Sequence, residues 1–128
     1  MATAVKNART IVASATNTAG STTRGRLDLQ TALGGIVTLK ITNGATGPSV
    51  QCQARILIAH NATMPAAASA GSDWKTVFVV GNGTANNTIG EWSYQFGDEI
   101  MCLEVEFTGN TGQSVTVEAY ASEVTSIS

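Results

Sequence analysis

In Met101-Cys102-Leu103-Glu104-Val105-Glu106-Phe107 large apolar residues alternate with small or charged ones at a period of two. Only an extended strand sends alternate side chains to opposite faces, so this run reads as a half-buried strand. The pattern recurs along the chain. Val37, Leu39 and Ile41 share one face of 36–42, against Thr38 and Lys40. Val50, Cys52, Ala54, Ile56 and Ile58 share one face of 50–59, against Gln51, Gln53 and Arg55. Val115, Val117, Ala119 and Ala121 stand against Thr116, Glu118 and Tyr120, and Arg26 to Gln30 alternates as well. Less regular strands are expected over 10–15, 75–80 and 89–95. About eight short strands separated by Gly- and Asn-bearing turns predict an all-β fold, a single antiparallel β-sandwich over residues 1–128. The alternation leaves the strand order open.

The turns are marked by Leu33-Gly34-Gly35, by Asn43-Gly44, and by Thr108 to Gln113, which reads as a hairpin joining the last two strands. Residues 16–25 hold no aliphatic side chain larger than alanine, so 1–25 is expected to be an N-terminal arm and loop. Pro65 to Gly71 is a small-residue connection with room for one helical turn between the proline and the glycine. Thr, Ala, Gly, Ser and Asn make up just over half of the 128 residues, and charged residues only 12%. That composition favours strands and polar turns over long helices. No run approaches the roughly 18 apolar residues of a membrane-crossing helix, so no membrane partner is expected. The segment following Met1 lacks the apolar stretch of a secretory signal, and none is expected.

The net charge of −2 conceals an asymmetry. Residues 1–55 carry Lys6, Arg9, Arg24, Arg26, Lys40 and Arg55 against Asp28, a net +5. Residues 56–128 carry Lys75 against Asp73, Glu91, Asp98, Glu99, Glu104, Glu106, Glu118 and Glu123, a net −7. Either the folded sandwich interleaves the two halves and the polarity vanishes, or a charged surface awaits an opposite partner. Seven scattered cations do not make the basic footprint of a nucleic-acid binder, so no direct nucleic-acid partner is expected.

Cys52 and Cys102 form no CxxC, and His60 is the single histidine, so no metal site is expected. Strand parity sets Cys52 with an apolar face and Cys102 with Glu104 and Glu106, which places the two sulfurs on different faces as free thiols. No catalytic residue set and no cofactor motif is expected: Gly81-Asn82-Gly83-Thr84 lacks the lysine of a phosphate loop and reads as a turn, and His60 stands at a strand end without a triad. Glu104 and Glu106 read as an exposed acidic row, which Glu118 extends if the hairpin pairs. Sequons at Asn61, Asn82 and Asn86 are what this composition produces by chance. Trp74, Trp92 and Tyr94 flank a polar loop. Three readings fit them: plugs for the sandwich core, a subunit contact, or a glycan platform.

The order of Gly71 to Thr76, Glu91-Trp92-Ser93-Tyr94, Met101 to Val105 and Phe107 to Ala119 resembles the capsid cement, or decoration, proteins of tailed phages. The resemblance covers roughly residues 8–125. It implies a jelly-roll sandwich that sits on the capsid surface of the virion, after assembly in the host cytoplasm. Its partner there is the major capsid protein, whose adjacent subunits it clamps, and it is a homo-oligomer, a trimer by preference. On that reading Lys6, Arg9, Arg24 and Arg26 are the expected capsid contacts. The alternative is a tail-fibre or receptor-binding module, with Trp74, Trp92 and Tyr94 lining a glycan groove.

Overall fold

The computed structural model describes residues 2–67 and 73–127. Eight strands run through it: β1 (Ala4–Asn17), β2 (Thr23–Asp28), β3 (Gly34–Asn43), β4 (Gln53–Ala59), β5 (Lys75–Gly81), β6 (Ile89–Gly97), β7 (Cys102–Thr108) and β8 (Val115–Ile127). They form two antiparallel four-stranded sheets, ordered β1-β8-β3-β6 and β2-β7-β4-β5. The pairs β1·β8, β2·β7, β3·β6 and β4·β5 nest one inside the next, as in a long hairpin rolled on itself. Rolling brings β8 against β3 and β7 against β4, which is the jelly-roll arrangement.

The inward faces are those the alternation predicts. Val37, Leu39 and Ile41 on β3 and Ala54 and Ile56 on β4 are buried in one core. Leu103, Val105 and Phe107 on β7 join them, as do Val115, Val117, Ala119 and Ala121 on β8. Val50 departs from its predicted inward place. It precedes β4, makes an isolated bridge to Thr111, and is exposed.

Two other expectations change. Residues 4–17 are a strand paired along its length with β8, and 23–28 are a strand paired with β7, so the segment expected to be arm and loop contains a loop only at 18–22. Thr, Ala, Asn and Arg satisfy an edge strand, which needs few large apolar residues; here Ile11 and Val12 alone reach the main core. The second change concerns Thr108 to Gln113. It joins strands of opposite sheets rather than a hairpin, because β7 pairs with β2 and β4 while β8 pairs with β1 and β3. The helical turn expected within Pro65–Gly71 falls largely on residues 68–72, outside those described; Pro65, Ala66 and Ala67 are not helical.

Loops 18–22, 44–52, 82–88 and 109–114 gather at one end of the sandwich, held by paired buried asparagines. Asn17 Nδ2 donates to Asn110 Oδ1 at 2.6 Å, and Asn110 Nδ2 to the Asn17 and Gln113 carbonyls at 3.1 and 3.0 Å. Asn82 Nδ2 donates to Asn43 Oδ1 at 3.0 Å and to the Thr88 carbonyl at 3.1 Å, while Asn43 Nδ2 reaches the Ala85 carbonyl at 2.9 Å. Gly47 lies so close to the Thr84 carbonyl that a side chain there would collide with it. Loops 29–33 and 98–101 connect strands at the other end, with the described residues 60–67 and 73–74 of the β4–β5 connection.

Candidate functional site: an exposed sheet face

The two sheets present unlike surfaces. On the outer face of β2-β7-β4-β5, register sets Arg24 opposite Glu106 and Arg26 opposite Glu104, with Arg55 beside Glu106 on the next strand. Arg24 Nη2 meets Glu106 Oε2 at 2.9 Å and Arg24 Nε lies 3.8 Å from Glu104 Oε1. Arg55 Nη1 lies 3.7 Å from Glu106 Oε1. Described residues of the β4–β5 connection reach part of this face, while Val77 and Val79 of β5 stay exposed. Arg26 Nη1 donates to the Pro65 carbonyl at 2.8 Å, and the Trp74 indole N–H to the Ala66 carbonyl at 2.9 Å. Asn61 Nδ2 donates to Asp73 Oδ1 at 3.2 Å. Ala59, Trp74 and Cys102 are buried beneath this connection as a second small cluster, with Leu57, Met64 and Met101 packed on it. Met101 therefore belongs to this cluster rather than to the main core.

The acidic row expected to be exposed does not exist as such. Glu104 is 0% exposed, Glu106 is held between two arginines, and Glu118 lies on the other sheet with Lys40. Outward-facing polar residues alternate on a strand whether or not something later covers them, so parity gives the face and not its exposure.

Among the described residues the outer face of β1-β8-β3-β6 carries no such cover. Three cross-strand rows make up its middle. Ala8, Ser122, Ile36 and Gln95 align in one; Thr10, Tyr120, Thr38 and Ser93 in the next; Glu118, Lys40 and Glu91 in the third. The first two rows are uncharged. Thr38 and Ser93 share a hydrogen bond of 2.9 Å, and Lys40 Nζ lies 3.7 Å from Glu91 and 3.8 Å from Glu118. Ile36 and Tyr120 stand up from the small residues around them, 43% and 42% exposed. Two adjoining hollows, about 540 and 350 Å³, share Ile36 and Ser122 in their walls. Leu33 and Lys6 border the larger and Arg9 the smaller.

The four cations expected to act together are thus divided. Lys6 edges the uncovered face, whereas Arg9 pairs with Ala121 of the inward row and its Nη1 is held 2.8 Å from the buried Glu123. Arg24 and Arg26 belong to the opposite sheet. The charge asymmetry between chain halves is largely spent in pairs that join them, Arg9–Glu123, Arg24–Glu106, Arg55–Glu106 and Lys40–Glu118. The aromatic trio is divided too. Trp74 is buried under the β4–β5 connection, while Trp92 and Tyr94 pack half-buried against the main core, Tyr94 with its ring centroid 5.5 Å from that of Phe78. No common groove joins the three. His60 is exposed just beyond β4.

Both cysteines are free and buried. Burial pushes the Cys52 thiol up to about 11. It also raises that of Cys102, with the Asp28 carboxylate as the second cause. The buried asparagines are what sequence reading missed. Their signal was there: Asn17 and Asn43 each close a strand just before a turn, where loop carbonyls need donors.

The arrangement is an all-β jelly roll with one partly self-covered and one more open sheet face. No family model and no curated protein matches the sequence. Solved structures share the fold. A Bacillus endospore appendage, of a family of disulfide-linked pili, is 9% identical over 98% of this chain and 92% of its own, at a TM-score of 0.50. The K3 cleaved adhesin domain of Lys-gingipain from Porphyromonas gingivalis w83 is 10% identical over 93% of this chain and 72% of its own, at 0.52. The SPBc2 prophage-derived protein YomS is 14% identical over 95% of each chain, at 0.47. Identities this low speak to the fold alone. They are compatible with a structural or binding module and select neither.

Proposed function

We propose that this chain is a structural, non-enzymatic virion protein that lies on the outer surface of a phage capsid and ties neighbouring major capsid subunits together. The inequality of its two outer faces carries the reading. Protein interfaces have charge-depleted centres rich in aromatic and apolar side chains, with charged residues at the rim. The open face has that make-up: Ile36 and Tyr120 in the middle, Lys6 and the Lys40–glutamate row around them. The opposite face is partly occupied by the chain's own loop and ion pairs, so Arg24 and Arg26 have structural work, as Arg9 has with Glu123, and Lys6 keeps the contact role. Stitched loops make the sandwich a stiff block, and many copies on one shell multiply a modest contact into a durable one. The resemblance of the 71–119 segments to cement proteins supplies the shell as partner.

The test uses phage heads assembled without the protein, mixed with the full chain, sedimented and imaged by electron cryomicroscopy. Density is expected at regular lattice positions with the β1-β8-β3-β6 face toward the shell. Ile36→Asp and Tyr120→Asp should each lower occupancy by about tenfold or more, the loss seen at central interface residues. Gln53→Ala, on the opposite face, should leave it unchanged. Bare heads, or occupancy indifferent to Ile36→Asp, would overturn the assignment.

A further inference from the structure

Each sheet ends in two open edges, β1 and β6 in one, β2 and β5 in the other. An open edge offers a row of unpaired N–H and C=O groups, and folded chains blunt it with bulges, charges or short length. Three of these edges are blunted. β1 has three register shifts against β8 and carries Lys6 and Arg9. β2 has six residues, two of them arginines, and its Gly25 lies against the Ile11 carbonyl of β1. β5 has a register shift opposite Ile56 and Leu57 and starts with Lys75. β6 is the least blunted. Its nine residues keep unbroken register with β3, from Gly34↔Gly97 to Thr42↔Ile89, and carry one charge, Glu91. Among the described residues no strand pairs with its other edge.

We propose that β6 is the interface with a second copy of this chain: the two β6 strands pair antiparallel about a two-fold axis at Ser93, joining two four-stranded sheets into one of eight. The register follows from symmetry. An axis normal to the sheet pairs residues of the same face, so it must pass through a residue. The midpoint of Ile89–Gly97 is Ser93, and only there do all nine residues pair. Glu91 then faces Gln95 of the other copy, a carboxylate opposite an amide donor. Trp92 faces Tyr94, an aromatic pair of the kind that stabilises neighbouring strands. Both rings are half-buried in the single chain, and pairing covers more of them. Ile89, 60% exposed, comes to lie beside Gly97. An axis at Glu91 would set two carboxylates face to face and pair only residues 89–93. A two-fold pair departs from the three-fold assembly that the cement resemblance suggests, and it does not depend on shell binding.

The experiment needs the purified full chain and no shells. Sedimentation velocity over a concentration series should show a reversible dimer. Gln95→Glu, which opposes two carboxylates at two equivalent places, should weaken it about tenfold, and Gln95→Lys should tighten it. Cα atoms directly opposite in such a pair lie roughly 4.5–5.5 Å apart, within disulfide reach. Ser93→Cys should therefore give a covalent dimer under mild oxidation, since both native thiols are buried. Thr116→Cys, on the same face away from this edge, is the control. A monomer or a trimer at every concentration, or Ser93→Cys protein linking no faster than the control, would overturn the proposal.

Discussion

Asn17 and Asn110 are fully buried, and between them their side chains satisfy one another and three loop carbonyls, those of Ser21, Asn17 and Gln113. A buried carbonyl without a donor costs on the order of 1–3 kcal/mol, and Asn110→Ala removes the donor to two of them. The variant should lose about 2–4 kcal/mol, read as a lower urea midpoint at unchanged slope. Asn7→Ala breaks only the exposed 3.1 Å contact with Thr125 and should shift stability by less than about 0.5 kcal/mol. The cysteines act at the same scale in the opposite sense, as buried groups that must stay neutral. The folded Cys52 thiol ionises near 11, against 9.0 for an unperturbed one. The unfolded chain therefore loses its proton first. Stability is unaffected by this group below pH about 9 and falls as pH rises toward about 11. Cys102 adds to the same trend. Denaturation midpoints measured from pH 7 to 11 should decline over that window. Replacing Cys52 with Ala should shallow the decline, and neither thiol should be alkylated at neutral pH until the chain unfolds.

At the scale of elements, the closed side of the sandwich depends on β1 crossing over β2. Gly25 touches the main chain of Ile11, and any side chain there would strike the Ile11 carbonyl. Gly25→Val should push β1 outward, at a cost of roughly 1–3 kcal/mol. Hydrogen exchange would locate the damage. Amides of β1 should lose protection while those of β3, paired on both sides, keep theirs. The strands themselves were legible in the sequence because alternation records one face buried and one not. Which sheet a strand joins was not, because β7 and β8 show the same alternation whether they lie side by side or face each other across the core. That is why Thr108 to Gln113 looked like a hairpin, and why Glu118 looked like an extension of the Glu104 row. β1 was hard to see for a different reason: edge strands bury little, so its hydrophobic signal is thin.

For the whole molecule, the nested pairing joins the ends of the chain, with Ala4 opposite Ile127 and Asn17 opposite Val115. Contacts so distant in sequence must await loop closure, which makes folding slow. Refolding after stopped-flow dilution should take milliseconds to seconds; microsecond refolding would contradict this topology. The same wrapping brings the basic first half of the chain against the acidic second half, turning a lopsided sequence into a surface of paired charges. The sequence by itself determined the class, a β-sandwich with its strands, inward rows and separate free thiols, because period-two burial is a local property of each strand. Tertiary structure alone decided which outward rows stay outward. Glu104 and Trp74 are buried while Ile36 and Tyr120 remain in the open. Exposure depends on what long-range packing lays over a face, and no window of adjacent residues contains that information.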